Sequence, residues 1–273
     1  MDNLKRQMQT LGLLLIGIIL AAPTMGQAWE NFSDIPEDAP VAPPVSSPAP
    51  RAPVGGLTFY TNEATFLADN PGLVFEDFSD TNVGPDLFLN CPGPFNTNTN
   101  DGCFSPGAIP DGIEFDTIDN VPAPNDVVVL TPSRRGVTDV MVGPFNFDDD
   151  LSIVLYQGPG VPATNTFGGT FACVILPTTF NISVYFQGSL LGQDTLTCGG
   201  PPGNFWGINN SAGLIDEIVL EGIAGNEDAE LVGNVYFGEG NVAVPTMGEF
   251  MTLAGFLALL VVSAFFVWRR RTI

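Results

Sequence analysis

Acid–base and nucleophilic chemistry need particular side chains, and this 273-residue chain has no histidine. A histidine-based triad is therefore excluded. The cysteines, Cys91, Cys103, Cys173 and Cys198, are even in number. That points to two disulfides and leaves no free thiol as nucleophile. Neither a G-x-S-x-G elbow nor a Walker-type phosphate loop occurs. Carboxylates remain, and a glycoside hydrolase needs only two of them. Glu76 with Asp77, Glu114 with Asp116 around Phe115, and Asp216 with Glu217 are the available pairs. In so acidic a chain such pairs arise by chance, and acids at alternate strand positions ordinarily form a solvated face.

The densest acidic run is Asp148-Asp149-Asp150. It can offer the oxygen ligands that Ca²⁺ takes, or it can be an exposed charged turn. The Asn-rich stretch between Cys91 and Cys103 fits a calcium loop poorly. Gly102 does not stand at the sixth position from Asn96, and no Glu follows at the twelfth. Zinc is disfavoured, because the cysteines lack C-x-x-C spacing and there is no histidine. No cofactor is expected, with Ca²⁺ the single candidate. Phe205, Trp206, Tyr156 and Tyr185 can form a stacking platform for sugar rings, although core packing is the expected role for most of them.

Charge narrows the partners. The chain has 30 acids and 8 bases. Residues 29–244 hold 28 of those acids and only Arg51, Arg134 and Arg135 as bases, a net charge of −25. Such a field repels nucleic acid and anionic lipid. It suits a soluble acidic surface, cation association or a cationic partner.

The elements that must hold these groups are strands. Gly (31), Pro (24) and Phe (21) are abundant, and runs of helix formers are rare before the C-terminal tail. About a dozen short apolar segments between Leu57 and Phe237 are separated by Gly, Pro or Asn. They predict an all-β fold, a single jelly-roll-like β-sandwich over 57–240. Asn181-Ile182-Ser183-Val184-Tyr185-Phe186 alternates as a half-buried strand should. One brief helix is expected after Asn62, which can cap it. Four cysteines allow three pairings, and the simplest joins sequence neighbours, Cys91 with Cys103 and Cys173 with Cys198.

Both ends read as addresses. Lys5 and Arg6, the apolar run Leu11–Ala22 and the small residues up to Ala28 make a secretory signal peptide over 1–28, with signal peptidase as the expected partner. Residues 29–56 are Pro-rich and predict an extended linker of polyproline type. At the other end, Met251–Trp268 is eighteen uncharged residues followed by Arg269, Arg270 and Arg271. A helix of that length spans about 27 Å, enough for a membrane core, with the arginines on the cytoplasmic side.

The segment just before that helix, VPTMGEF, resembles the IPTL-type C-terminal sorting signal. Pro245, Thr246 and Glu249 match its pattern, while Val244, Met247 and Phe250 replace Ile, Leu and Trp, and Met251 stands where Gly is usual. The stretches TFYTNEATFLADNPGLVFEDFS, FNISVYFQGSLLGQDTL, NFWGINNSAGLIDEIVLEG and LVGNVYFGEG resemble β-sandwich ectodomains of bacterial proteins that carry exosortase-type signals. Where those domains often have an Asp-Asn pair, this chain has Gly233-Asn234. The resemblance implies an exosortase-like membrane protease that removes the 244–273 tail, and display on the surface of a Gram-negative cell. An ordinary single-pass anchor is the simpler alternative. The expected function is thus a non-enzymatic exported envelope protein. The alternatives are a polysaccharide-binding module, helped by Ca²⁺ or not, and a carboxylate-dependent glycoside hydrolase.

Overall fold

In the computed structural model, the described residues are 32–36, 39, 41–45, 55–118, 126–147, 149–156, 161, 163–173, 178–222 and 230–240. Among them the strands are β1 (Leu57–Tyr60), β2 (Val74–Glu76), β3 (Phe88–Pro92), β4 (Ile113–Ile118), β5 (Asp126–Leu130), β6 (Met141–Pro144) and β7 (Asp150–Leu155). They continue as β8 (Thr166–Cys173), β9 (Thr178–Phe186), β10 (Ser189–Cys198), β11 (Asn204–Asn210), β12 (Glu217–Gly222) and β13 (Glu230–Gly238). A short helix, α1, spans Glu63–Asp69. Its expected cap is in place, with Asn62 Oδ1 accepting from Thr65 N at 2.9 Å.

Alternation in the sequence becomes a two-layer fold because successive strand side chains point to opposite faces. In β9, Phe180, Ile182 and Val184 are fully buried, while Asn181 and Tyr185 stay partly exposed. The all-β expectation is met by two antiparallel sheets. The larger has eight strands, ordered β1-β11-β8-β13-β6-β5-β3 with β2 paired to β13. The smaller has five, ordered β10-β9-β12-β7-β4. Between them lies one core that includes Phe115, Ile153, Phe167, Phe171, Ile182, Trp206, Ile218 and Phe237.

Two covalent links close the sandwich. Cys173 at the end of β8 bonds Cys198 at the end of β10, so this disulfide joins the two sheets. Cys91 on β3 bonds Cys103 in the following loop. That loop is built rather than slack. Asp101 Oδ1 accepts from Cys103 N (2.7 Å) and Phe104 N (3.0 Å), and Phe95, Phe104 and Ile109 are buried in the core. Phe95 also pairs with Phe115 on β4, its amide donating to the Phe115 carbonyl at 2.7 Å. The loop thereby carries the chain from the larger sheet to the free edge of the smaller one.

The outer face of the larger sheet is covered twice. Phe66 of α1 is fully buried against it, beside Phe205, Tyr60 and Tyr236. Gly168 and Gly207 make that seat, because a Cβ at either would lie 2.9 Å from the Phe66 ring. The second cover comes from the segment expected to be a linker. Phe32 and Ile35 are buried on the sheet, and Ala42 is buried against Gly200 in the turn between β10 and β11. Phe32 and Ile35 join Val128, Leu130, Met141, Phe147 and Leu231 in a second apolar cluster. Arg135 fastens this strap through its guanidinium, donating to the carbonyls of Pro36 (2.6 Å), Ile35 (3.0 Å) and Ala39 (3.4 Å). Arg134 meanwhile stacks over Phe88 at 5.2 Å.

Candidate functional site

The outer face of the smaller sheet is built differently. Strand register aligns Glu114 (β4), Val154 (β7), Glu217 (β12), Tyr185 (β9) and Leu190 (β10) in one outward row. The next row is Asp116, Ser152, Val219, Ser183 and Gln193. Their partners one step along each strand, Phe115, Ile153, Ile218 and Val184, are in the core. Period two therefore sets every one of these polar groups outward.

At one end of the first row the sheet is concave. A hollow of about 390 Å³ is lined by Val154, Leu155, Tyr156, Gly188, Asp216 and Glu217. Tyr156, in its lining, is 45 % exposed. Neighbours hold the carboxylates. Asn96, from the disulfide loop, donates through Nδ2 to Glu114 Oε2 at 2.7 Å. Ser152 Oγ donates to Glu217 Oε1 at 3.1 Å. Asp216 Oδ2 accepts from Gln187 N at 2.5 Å, bracing the turn between β9 and β10. Burial, the hydrogen bond with Glu114 and the charges of Glu114 and Asp116 push the Tyr156 phenol up to about 12. It therefore stays protonated near neutrality and presents a hydroxyl and a ring, not a phenolate.

The described cations are Arg134 and Arg135, and both act on the larger sheet and its strap. This site is thus a hollow with hydrogen-bond acceptors at Asp216 and Glu217, apolar lining at Val154 and Leu155, and an aromatic ring at Tyr156. It can accept hydroxyl or ammonium donors and pack a ring or methylene face.

The other expected aromatics lie elsewhere. Trp206 is fully buried and donates Nε1–H to Asp194 Oδ2 at 3.0 Å. An indole in the core needs such an acceptor, and the expected core role holds for it. Phe205 is 8 % exposed and sits under α1. Of the four, Tyr156 and Tyr185 reach the open face.

The carboxylate pairs separate in the same way. Glu76 is buried and its carboxylate accepts from the Phe78 amide, while Asp77 Oδ1 accepts from Ser79 N at 2.9 Å. Burial raises Glu76 to about 7, opposed by its bond to Phe78 and helped by Asp77 and Asp80. Glu114, Asp116 and Glu217 share the open face, side by side on one sheet. Glu114 and Glu217 flank Val154, two strand spacings or about 10 Å apart at the backbone.

Of the acidic run, Asp148 lies outside the described residues. Asp149 is buried and accepts from Asn146 Nδ2 at 3.0 Å. Asp150 opens β7 and accepts from Gly222 N at 3.3 Å. Among the described residues, the one trio of metal-type ligands within reach of a common ion is Cys91, Asp101 and Cys103. Its sulfurs are joined in a disulfide.

Ala28 and the whole tail, with Val244, Pro245, Thr246, Met247, Glu249, Phe250, Arg269, Arg270 and Arg271, lie outside the described residues. No helix among the described residues is long and apolar enough to cross a membrane. Val154, Ser152, Ser183, Gln193 and Leu190 were not singled out from the sequence. The usable signal for Val154, Ser152 and Ser183 was strand parity, since each stands one place from a core residue; Leu190 lies at a register shift where parity breaks. In comparisons with known proteins, the chain matches no protein-family model, no curated protein and no solved structure.

Proposed function

We propose that this chain is an exported, cell-surface β-sandwich protein without catalytic activity of its own. The observation that carries the reading is the pair of disulfides, one of them bolting sheet to sheet. Such bonds form and persist in oxidising compartments outside the cytosol. In this reading residues 1–28 are removed by signal peptidase after Ala28. The 251–268 helix holds the precursor in the inner membrane, and an exosortase-like protease cuts at the 244–250 signal. The sandwich is jelly-roll-like, supported by a chain that switches sheets eight times, between β3 and β4, β4 and β5, β6 and β7, β7 and β8, β8 and β9, β10 and β11, β11 and β12, and β12 and β13.

The test is an intact-mass measurement on the envelope-associated protein. The expected species starts at Trp29 and has lost the tail. A species ending at Ile273 would overturn processing and leave a single-pass anchor.

A second reading adds polysaccharide binding, favoured by Tyr156 and the braced carboxylates of Asp216 and Glu217 in one hollow. Hydrolysis is the weaker alternative, because Glu114 and Glu217 rise side by side from one sheet face and the hollow is open.

A further inference from the structure

We propose that the corner of the sandwich bearing Leu190 and Leu191 rests on the lipid surface of the bilayer that holds the 251–268 helix. The proposal rests on the membrane-held precursor of the preceding reading and gives the ectodomain an orientation on that membrane.

The first observation is where the chain leaves the fold. Gly240, just past β13, is locked among the buried side chains of Asn70, Asn165, Thr166 and Asn209. Its amide donates to Asn165 Oδ1 at 2.8 Å, and a Cβ there would press on Thr166 Oγ1, Asn70 Oδ1 and Asn209 Nδ2. Asn209 Nδ2 in turn donates to Asn70 Oδ1 and to Thr166 Oγ1, both at 2.8 Å. The tail therefore departs from a fixed point.

The second observation is what shares that end of the sandwich. Asn210, next to Asn209, pairs with Leu57 on β1, and a Cβ at Gly192 on β10 would press on Leu57 Cδ1. The loop between β11 and β12 ties the same end together. Ile215 N donates to Thr164 O at 2.8 Å, and Asp216 N donates to Tyr185 O at 3.0 Å. The β9–β10 hairpin thus stands beside the point of exit.

The third is the surface of that hairpin. Leu190 is 55 % exposed and its neighbour Leu191 37 %. From Gln187 to Gln193 there is no charge, in an otherwise acidic body. Adjacent bare leucines leave apolar area in water, and the boundary between headgroups and acyl chains takes up such area. Two leucines make a weak contact on their own. Here, however, residues 241–250 separate Gly240 from Met251, and ten residues reach at most about 35 Å. So short a tether keeps the corner at a high effective concentration beside the bilayer, which populates a contact too weak to hold free protein. Charge selects the lipid. Asp216 and Glu217 line the hollow beside Gly188 of the same hairpin, so zwitterionic headgroups suit the corner and anionic ones repel it.

The experiment uses the tail-bearing protein in phosphatidylcholine discs that carry a gadolinium-chelating lipid. The methyl NMR signals of Leu190 and Leu191, and of Leu214 in the β11–β12 loop, are expected to be lost to paramagnetic broadening. The signal of Ile118, 39 % exposed at the far end of β4, is expected to survive. Leu190→Ser with Leu191→Ser should leave the melting temperature unchanged and abolish the difference between Leu214 and Ile118. Equal broadening of Leu190, Leu191 and Ile118 in the unaltered protein would overturn the docked corner and keep the membrane helix. A Leu214–Ile118 difference that persists in the double variant would also overturn it. Failure of the protein to enter the discs would overturn both the docked corner and the membrane-held precursor.

Discussion

The two outer faces of this sandwich come from the same strand pattern and end in opposite states. On the larger sheet, outward positions carry Gly168, Gly207, Ala172, Leu231 and Met141, and they are buried under α1 and the N-terminal strap. On the smaller sheet, outward positions carry Glu114, Asp116, Glu217, Asn181 and Tyr185, which stay partly exposed, while Ser152, Ser183 and Val219 among them are buried. Small and apolar outward residues make sense only if something is to be seated on them. Partly exposed carboxylates and tyrosine hydroxyls keep water as a partner, so that face needs no cover. A sandwich needs one buried interior, so a second cover on one side is an additional commitment of the chain. Here that commitment uses both described arginines, and among the described residues the other face carries acids and no base.

The largest effect should come from uncovering the covered face. Phe66→Ala empties the seat between Gly168 and Gly207 and should lower stability by about 3–5 kcal/mol, read as a shift of the denaturant midpoint. A loss below about 1 kcal/mol would mean that α1 merely rests on the sheet.

An intermediate effect should follow from releasing the strap. Arg135→Ala removes three bonds from a charged donor to the carbonyls of Ile35, Pro36 and Ala39. It should cost about 1–2 kcal/mol and speed hydrogen exchange and proteolysis selectively within residues 32–45. Unchanged exchange there would show that Phe32 and Ile35 hold the strap alone.

The smallest effect belongs to the open face. Glu221→Gln should change stability by less than about 0.5 kcal/mol, as surface substitutions do. It separates the faces most cleanly, because a comparable change under the strap would not be silent. A thermal melt suffices, and a marked loss would show that the open face is structural.

Much of the fold was legible because strand alternation is a local property. The segments leading to β1, β4, β7, β9, β10, β11 and β13 read directly, and Asn62 announced α1. β3 was missed, since Asn90, Cys91 and Pro92 look like a loop and the strand depends on pairing with β5. The candidate site was half legible. Tyr156, Tyr185, Glu114, Asp116, Asp216 and Glu217 were all visible as chemistry. Their meeting was not, because they come from β4, β7, β9 and β12 and the turns beside them.

The strap shows the same limit from the other side. Proline at 36, 40, 43 and 44 stands against a long helix and sheet pairing, and where described the segment holds one 3-10 turn, Phe32–Asp34, and no strand. What proline does not decide is whether an extended chain stands clear or lies down. Phe32 and Ile35 find partners in Val128, Leu130, Met141 and Leu231, residues roughly 90–200 places away along the sequence. Residue types and spacing by themselves determined the strand content, the cysteine chemistry, the acid charge and the exclusion of histidine catalysis. Only the tertiary structure decided that Trp206 is core, that Cys173–Cys198 spans two sheets, and that one outer face is covered and the other left open. The physical reason is that composition and period are carried by neighbours in the chain, whereas burial and shared faces are carried by neighbours in space.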